Sequence, residues 1–128
     1  MIKTVILGAL LTLNTTRTTI ERLINKAGIR YPKVALAQSI HESGNYKSTL
    51  SKKYHNHFGF KNKKGNYKRY ANDSLAVADY RRWSNQFINR YHITSRSQFI
   101  RKLEGRYAAP VREGKPYHKR IIAVMKTL

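Results

Sequence analysis

The sequence contains no cysteine. That excludes disulfide frameworks, thiolate metal sites and cysteine nucleophiles together, and leaves the redox compartment open. Acids are scarce as well. Against 26 lysines and arginines stand six carboxylates, Glu21, Glu42, Asp73, Asp79, Glu104 and Glu113, and the net charge is +20. Any reaction that needs a carboxylic acid or base must draw on those six. No apolar run is long enough to span a bilayer as a helix. The longest candidate, Val5 to Leu11, is a short run behind Lys3. There is no internal repeat and no low-complexity tract. What remains is a chain of 128 residues, the length of one domain, able to bury roughly two thirds of its unfolded surface without a metal or crosslink.

Residues 1–16 form an apolar N-terminal segment with two readings. It is either a signal-like export sequence or a piece that packs on the body or on a partner. From residue 17 the punctuation is helical. Thr18 and Glu21 have capping-box spacing ahead of the stripe Ile20, Leu23, Ile24 and Ala27, and Gly28 is a stop. Pro32 opens a second helix that runs through Val34 to His41 and ends at Gly44. Ser74 can cap a third, with Ala76, Tyr80, Trp83 and Phe87 on one face. Ser95 and Gln98 make another capping box, and Gly105 closes that helix. Pro116 opens a last helix with Tyr117, Ile121, Val124 and Leu128 along one side. Between Tyr54 and Ala71 the period changes, and Asn62 to Asn66 is turn chemistry, so a short, irregular β-hairpin is expected there. The fold class is mainly α: about five helices with a reduced β-hairpin.

Glu42 is the most suggestive acid. It follows the nearly neutral helix Val34 to Ile40 and precedes a glycine. Partial desolvation and the negative end of the helix dipole both favour its protonated form, which suits a general acid. The residues alone leave a second reading open, a helix-end carboxylate paired with a lysine such as Lys47 or Lys52. His55 and His57 lie two apart, but no third ligand accompanies them at suitable spacing, so no metal site and no cofactor are expected.

Four segments, in one order, carry a family resemblance. Val34 to Ser48 resembles the "ALAQ…ESG…S" helix and turn of the peptidoglycan β-N-acetylglucosaminidases, glycoside hydrolase family 73. His55 to Lys61 is similar to that family's "NNLFGIK" segment. Tyr70 to Tyr80 resembles its "Y-x-S-x-x-x-S-x-x-DY" pattern, with Asn72 in place of the usual serine. Gly105 to Ala108 resembles its "G-x-YA" turn. The resemblance spans residues 17–128 and implies a lysozyme-like, single-domain fold. It implies Glu42 as general acid and Tyr107 as a tyrosine lining the site beside it. Ser43, Asn56, Phe58, Tyr70 and Tyr117 are then expected along the sugar cleft. For Tyr107 and Phe58 the plainer alternative is core packing. Asp79 is expected to be structural, an ion-pair or capping residue.

The chain also departs from the family. Many members carry a second acid on a long hairpin, and here Lys61 to Tyr70 contains neither Asp nor Glu. Asp73 could serve instead, or a partner or loop could bring another acid. In the third alternative, slightly favoured, the 2-acetamido group of the substrate is the nucleophile and only Glu42 comes from the protein. The stretch from Tyr107 to Tyr117 is also longer than usual.

The positive charge suits an anionic mesh such as peptidoglycan. The leading reading is a glycan-strand hydrolase, a glucosaminidase, acting outside the cytoplasm in the periplasm or wall or carried in a virion as a phage lysin. A muramidase on the same fold, an inactive wall-binding or virion protein with other envelope or virion partners, and, less favoured, a nucleic-acid-binding module are the alternatives. Basic hairpin residues interleaved with Tyr and Phe would suit the last, but that reading does not account for the Val34 to Gly44 segment.

Overall fold

A computed structural model describes residues 15–107, 111–112 and 114–128. Helix α1 covers residues 15–26, α2 is Pro32–Glu42, α3 Thr49–Tyr54, α4 Asp73–Arg90, α5 Arg96–Lys102 and α6 Tyr117–Met125. Two strands, β1 (Val111–Arg112) and β2 (Lys115–Pro116), pair antiparallel just before α6. The expected hairpin is reduced to a single antiparallel bridge, Lys61 to Tyr67. Its turn is held by Asn62, whose Oδ1 accepts from the backbone N–H groups of Lys64 and Asn66.

Packing explains why α2 lacks an amphipathic pattern. Val34 through Ser39 are all buried, because α2 runs between two apolar clusters and has no solvent face along that stretch. On one side Val34 and Ala37 join Phe87, Phe99, Leu103, Tyr117 and Ile121 from α4 to α6. On the other, Ala35 and Leu36 join Ile20 and Ile24 of α1, Phe58, and Val77 and Tyr80 of α4. Trp83 packs against both clusters. Each fully buried large side chain contributes about 1.5–3 kcal/mol, so this double contact makes α2 the anchor of the domain.

The helix boundaries correct the sequence reading in three places. Thr18 lies inside α1, which is already helical at residue 15, so it is not a cap. The cap of α4 is Asn72, not Ser74: its side chain accepts from the Leu75 N–H at 2.9 Å. Asparagine caps as well as serine, and it stands one residue ahead of the first helical position. Helix α3 was not expected, since six residues are too few to display a period; the Ser48 hydroxyl caps it by accepting from Ser51 N–H. The Ser95–Gln98 pair is as read, with Ser95 Oγ accepting from Gln98 N–H. Pro116 flanks α6 as its N-cap, and without a capping side chain there the Glu104 carboxylate accepts from the His118 N–H at 2.6 Å. Up to residue 14, the apolar segment expected over residues 1–16 lies outside the described residues, and 15 and 16 already belong to α1. Among the described residues no helix is long and apolar enough to cross a membrane.

Candidate active site

Glu42 is the last residue of α2, four positions after Gln38 and therefore on the same face one turn on. The chain then reverses through an uncommon turn. Gly44, Asn45 and Tyr46 are all left-handed, with φ of 59°, 59° and 64°. For Asn45 and Tyr46 this costs of order 1–2 kcal/mol each. Burial and hydrogen bonds hold it: Ser43 Oγ accepts from Tyr46 N–H at 2.7 Å, and the Tyr46 hydroxyl lies 2.7 Å from Ser39 Oγ. Glu42 thus sits at the rim of a rigid corner, and it is half-buried.

The segment after α3 forms the opposite side. Asn56 is only 1% exposed, and its amide uses every hydrogen-bonding site. Nδ2 donates to the carbonyls of Phe60 and Lys68, and Oδ1 accepts from the N–H groups of Gly59 and Phe60. That staple fixes Gly59 against Glu42. A Cβ on Gly59 would lie 3.9 Å from the Glu42 Cβ, and the glycine has φ of +73°, which a side chain would strain. The Tyr107 hydroxyl donates to the Phe58 carbonyl from the next wall. The Tyr107 ring lies against Phe60, Trp83 and Tyr117.

The electrostatics tie these groups together. Burial leads in pushing the Tyr107 hydroxyl well above its ordinary range, with the neighbouring Tyr117 and Glu42 side chains adding to it. Burial and then Glu42 do the same to Tyr117. Both tyrosines therefore stay protonated, as neutral donors near the Glu42 carboxyl. Behind them the buried Gln38 amide accepts from the Tyr80 hydroxyl. Arg120 stacks over the Tyr117 ring at 5.3 Å and brings Nη1 to 3.0 Å from His41 Nε2.

The structure brings Glu42, Tyr107 and Tyr117 together. It places several expected cleft residues behind the surface. Ser43, Asn56, Phe58 and Tyr117 are each at most 1% exposed, so they shape the site through turn, staple and core contacts. Tyr70 is held by its hydroxyl on Asp79 Oδ2 at 2.5 Å. Asp79 also pairs with Lys68 at 2.9 Å and Arg82 at 2.6 Å. Burial pushes the Asp79 carboxyl up, but the hydrogen bonds from Tyr70, Lys68 and Arg82 outweigh it and hold the group below its usual range. Tyr70 lines a groove of about 830 Å³ with Tyr54, Tyr67, Lys68 and Arg69 on the hairpin.

Asp73, one of the alternatives for a second acid, is engaged by two histidines. His55 Nδ1 and His57 Nε2 each lie 2.7 Å from its Oδ1. The hydrogen bond to His57 leads in lowering its carboxyl below the usual range. The tertiary fold thus adds the third donor that spacing alone did not reveal. Sequence reasoning also passed over Gln38, Gly59 and Trp83. The first is a polar residue inside an otherwise apolar helix segment, which was a usable signal. Gly59 lies in the matched His55 to Lys61 segment and Trp83 on the apolar face of α4, but neither pointed to the site until its neighbours were in place.

A family model described as "Glucosaminidase: Mannosyl-glycoprotein endo-beta-N-acetylglucosaminidase" matches residues 17–128. No curated protein sequence matches the chain. Among solved structures, the catalytic domain of the autolysin Auto from Listeria monocytogenes superposes with a TM-score of 0.61 at 20% identity. The alignment covers 90% of this chain and 81% of that one. At that identity the likeness speaks for the fold, which is mainly α and lysozyme-like, as the motifs led us to expect.

Proposed function

The chain belongs to the glucosaminidase family of glycoside hydrolases, and from that premise we propose that it cleaves the glycan strand of peptidoglycan at the β-1,4 bond following N-acetylglucosamine. The observation that carries the reading is the placement of Glu42. It stands at the end of a buried helix, against the backbone of Gly59 and beside two neutral tyrosines. Glu42 donates its proton to the glycosidic oxygen as the C1–O bond breaks. Among the described residues Asp73, Asp79 and Glu104 are engaged by histidines, lysine, arginine or backbone, and Glu21 is an exposed residue of α1. This favours the mechanism that needs one protein carboxyl. The acetamido oxygen of the substrate attacks C1 and forms a cyclic oxazolinium ion. Water then opens that ring at C1 and returns its proton to the Glu42 carboxylate. Tyr107 stabilises the positive charge of the intermediate with its ring and oxygen.

Peptidoglycan places the activity outside the cytoplasm, as an exported bacterial enzyme or a virion-borne lysin, and the charge of +20 holds the enzyme on the anionic wall. The solved relative is named an autolysin, which fits that substrate. The test is digestion of purified sacculi, reduction of the products and mass spectrometry. N-acetylglucosaminitol at the new reducing ends is expected; N-acetylmuramitol would make the enzyme a muramidase. Glu42→Gln should lower turnover by about 10²–10⁴-fold and leave wall binding intact. Wild-type protein that binds sacculi and releases nothing would reduce the role to adhesion.

A further inference from the structure

We propose that His55, His57 and Asp73 form a binding site for one Zn²⁺-class divalent transition-metal ion, which clamps the base of the hairpin segment to the start of α4. The inference does not depend on the glycan reading. Three donor atoms from two parts of the chain, His55 Nδ1, His57 Nε2 and Asp73 Oδ1, all lie within 4.8 Å of one another. Two imidazole nitrogens and one carboxylate oxygen are a borderline donor set, suited to Zn²⁺ and its neighbours more than to Mg²⁺ or Ca²⁺. Three protein ligands leave the fourth position to water. Side-chain exposures of 36% for His55 and 24% for Asp73 keep that side open.

The surroundings are those of a prepared site. The His57 side chain is 2% exposed, and its far nitrogen, Nδ1, lies 2.6 Å from Ser51 Oγ. A hydrogen bond to the second ring nitrogen is the usual device that orients a ligating histidine. The serine hydroxyl can rotate. It donates to Nδ1 when Nε2 carries its proton toward Asp73, and accepts from Nδ1–H when Nε2 holds a metal. His55 is the C-cap of α3 in a left-handed conformation, φ 55°, uncommon for a residue with a side chain. Its backbone N–H donates to the Ser51 carbonyl at 3.1 Å. Ser51 therefore supports both histidines, one through its side chain and one through its backbone. Asp73 is the first residue of α4, so the ion would close the loop formed by residues 58–72.

The adjustment required is a movement of side chains. Metal–ligand bonds of about 2.0–2.1 Å in a tetrahedron separate the ligand atoms by about 3.3 Å. Each nitrogen is now 2.7 Å from the carboxylate oxygen, so the oxygen withdraws by about 0.6 Å to admit the ion, and the donors, which lie within 4.8 Å of one another, bring their two nitrogens closer by up to about 1.5 Å. The partly exposed His55 and Asp73 side chains can supply that by rotation. A cation joining a chain of charge +20 is repelled at long range. Affinity must therefore come from direct ligation, and Mg²⁺ or Ca²⁺ should not compete.

The test uses the full, untagged chain treated with chelator and then titrated calorimetrically with ZnCl₂. One equivalent is expected to bind, and the thermal midpoint should rise with Zn²⁺ and not with Mg²⁺. Co²⁺ should give visible d–d absorption of a low-symmetry nitrogen/oxygen site. His55→Ala and Asp73→Asn should each weaken Zn²⁺ binding at least tenfold with unchanged far-ultraviolet circular dichroism. His118→Ala, which breaks the His118–Glu104 pair elsewhere, should bind as wild type. No stoichiometric binding at micromolar Zn²⁺ overturns the proposal. So does an affinity that survives both site variants, or one lost in His118→Ala.

Discussion

Replacing Asn56 with alanine removes four hydrogen bonds at one stroke, two donated by Nδ2 and two accepted by Oδ1. A net value of about 1 kcal/mol per bond sets a ceiling near 4 kcal/mol. The backbone of Phe60 and Lys68 is in a partly exposed hairpin and can recover water in the variant. The expected loss is therefore about 2–4 kcal/mol. For a urea slope of roughly 2 kcal/mol/M the unfolding midpoint should fall by about 1–2 M. Asn56→Asp sharpens the test. It keeps an acceptor for the Gly59 and Phe60 N–H groups but turns a carboxylate oxygen toward two carbonyls. It should be at least as unstable as the alanine variant at neutral pH. Both variants should then be assayed on sacculi at a temperature where each is folded. Since the side chain is buried, the Michaelis constant should change less than stability does. An alanine variant within about 0.5 kcal/mol of wild type, with a sharply raised Michaelis constant, would refute the staple and restore Asn56 as a sugar contact.

Asn72→Ala, measured by urea unfolding, should cost about 1 kcal/mol through loss of the α4 cap, while Ser74→Ala should cost little. Asp79→Asn should destabilise by about 1.5–3 kcal/mol at pH 7. Because the folded carboxyl sits below the ordinary carboxylate range, its contribution is present above that range and lost as pH falls through the lower folded value. The gap between variant and wild type should therefore close in acid, and a gap constant from pH 7 to pH 2 would refute the ion-pair account. Tyr107→Phe should lower turnover on sacculi more than wall binding. Since burial holds the hydroxyl protonated, the alkaline limb of the pH–rate profile should be unchanged; a limb that disappears in the variant would mean Tyr107 ionises during catalysis. Retention on sacculi should fall steeply as salt rises, since the attraction is long-range and screened.

Much of the helical framework was legible because it follows from local chemistry. The stripe Ile20, Leu23, Ile24 and Ala27 marked α1. Pro32 and Gly44 bracketed α2, and the Ser95–Gln98 pair marked α5. These signals lie within a few residues of what they specify. Errors arose where two residues could do the same local work, as with Asn72 and Ser74, or where an element was too short to repeat, as in α3. The candidate site was legible in part. Glu42 stood out through its motif, and Tyr107 through the turn that carries it. The expected cleft lining was read from the motif, but the motif does not distinguish a residue that faces the sugar from one that holds the wall in place. Ser43, Asn56 and Phe58 are each buried, which the motif did not reveal.

Composition and local order by themselves determined a cationic, mainly helical, single-domain chain with one conspicuous acid at a helix end. Only the tertiary structure decided which distant groups meet. Tyr107 reaches Phe58 across 49 positions, Tyr80 reaches Gln38 across 42, and Asp73 is drawn to His55 and His57 across 18 and 16. Such contacts have no period and no fixed spacing. They arise because burying the two faces of α2 forces separate segments together, and the polar groups carried along must then find partners with one another.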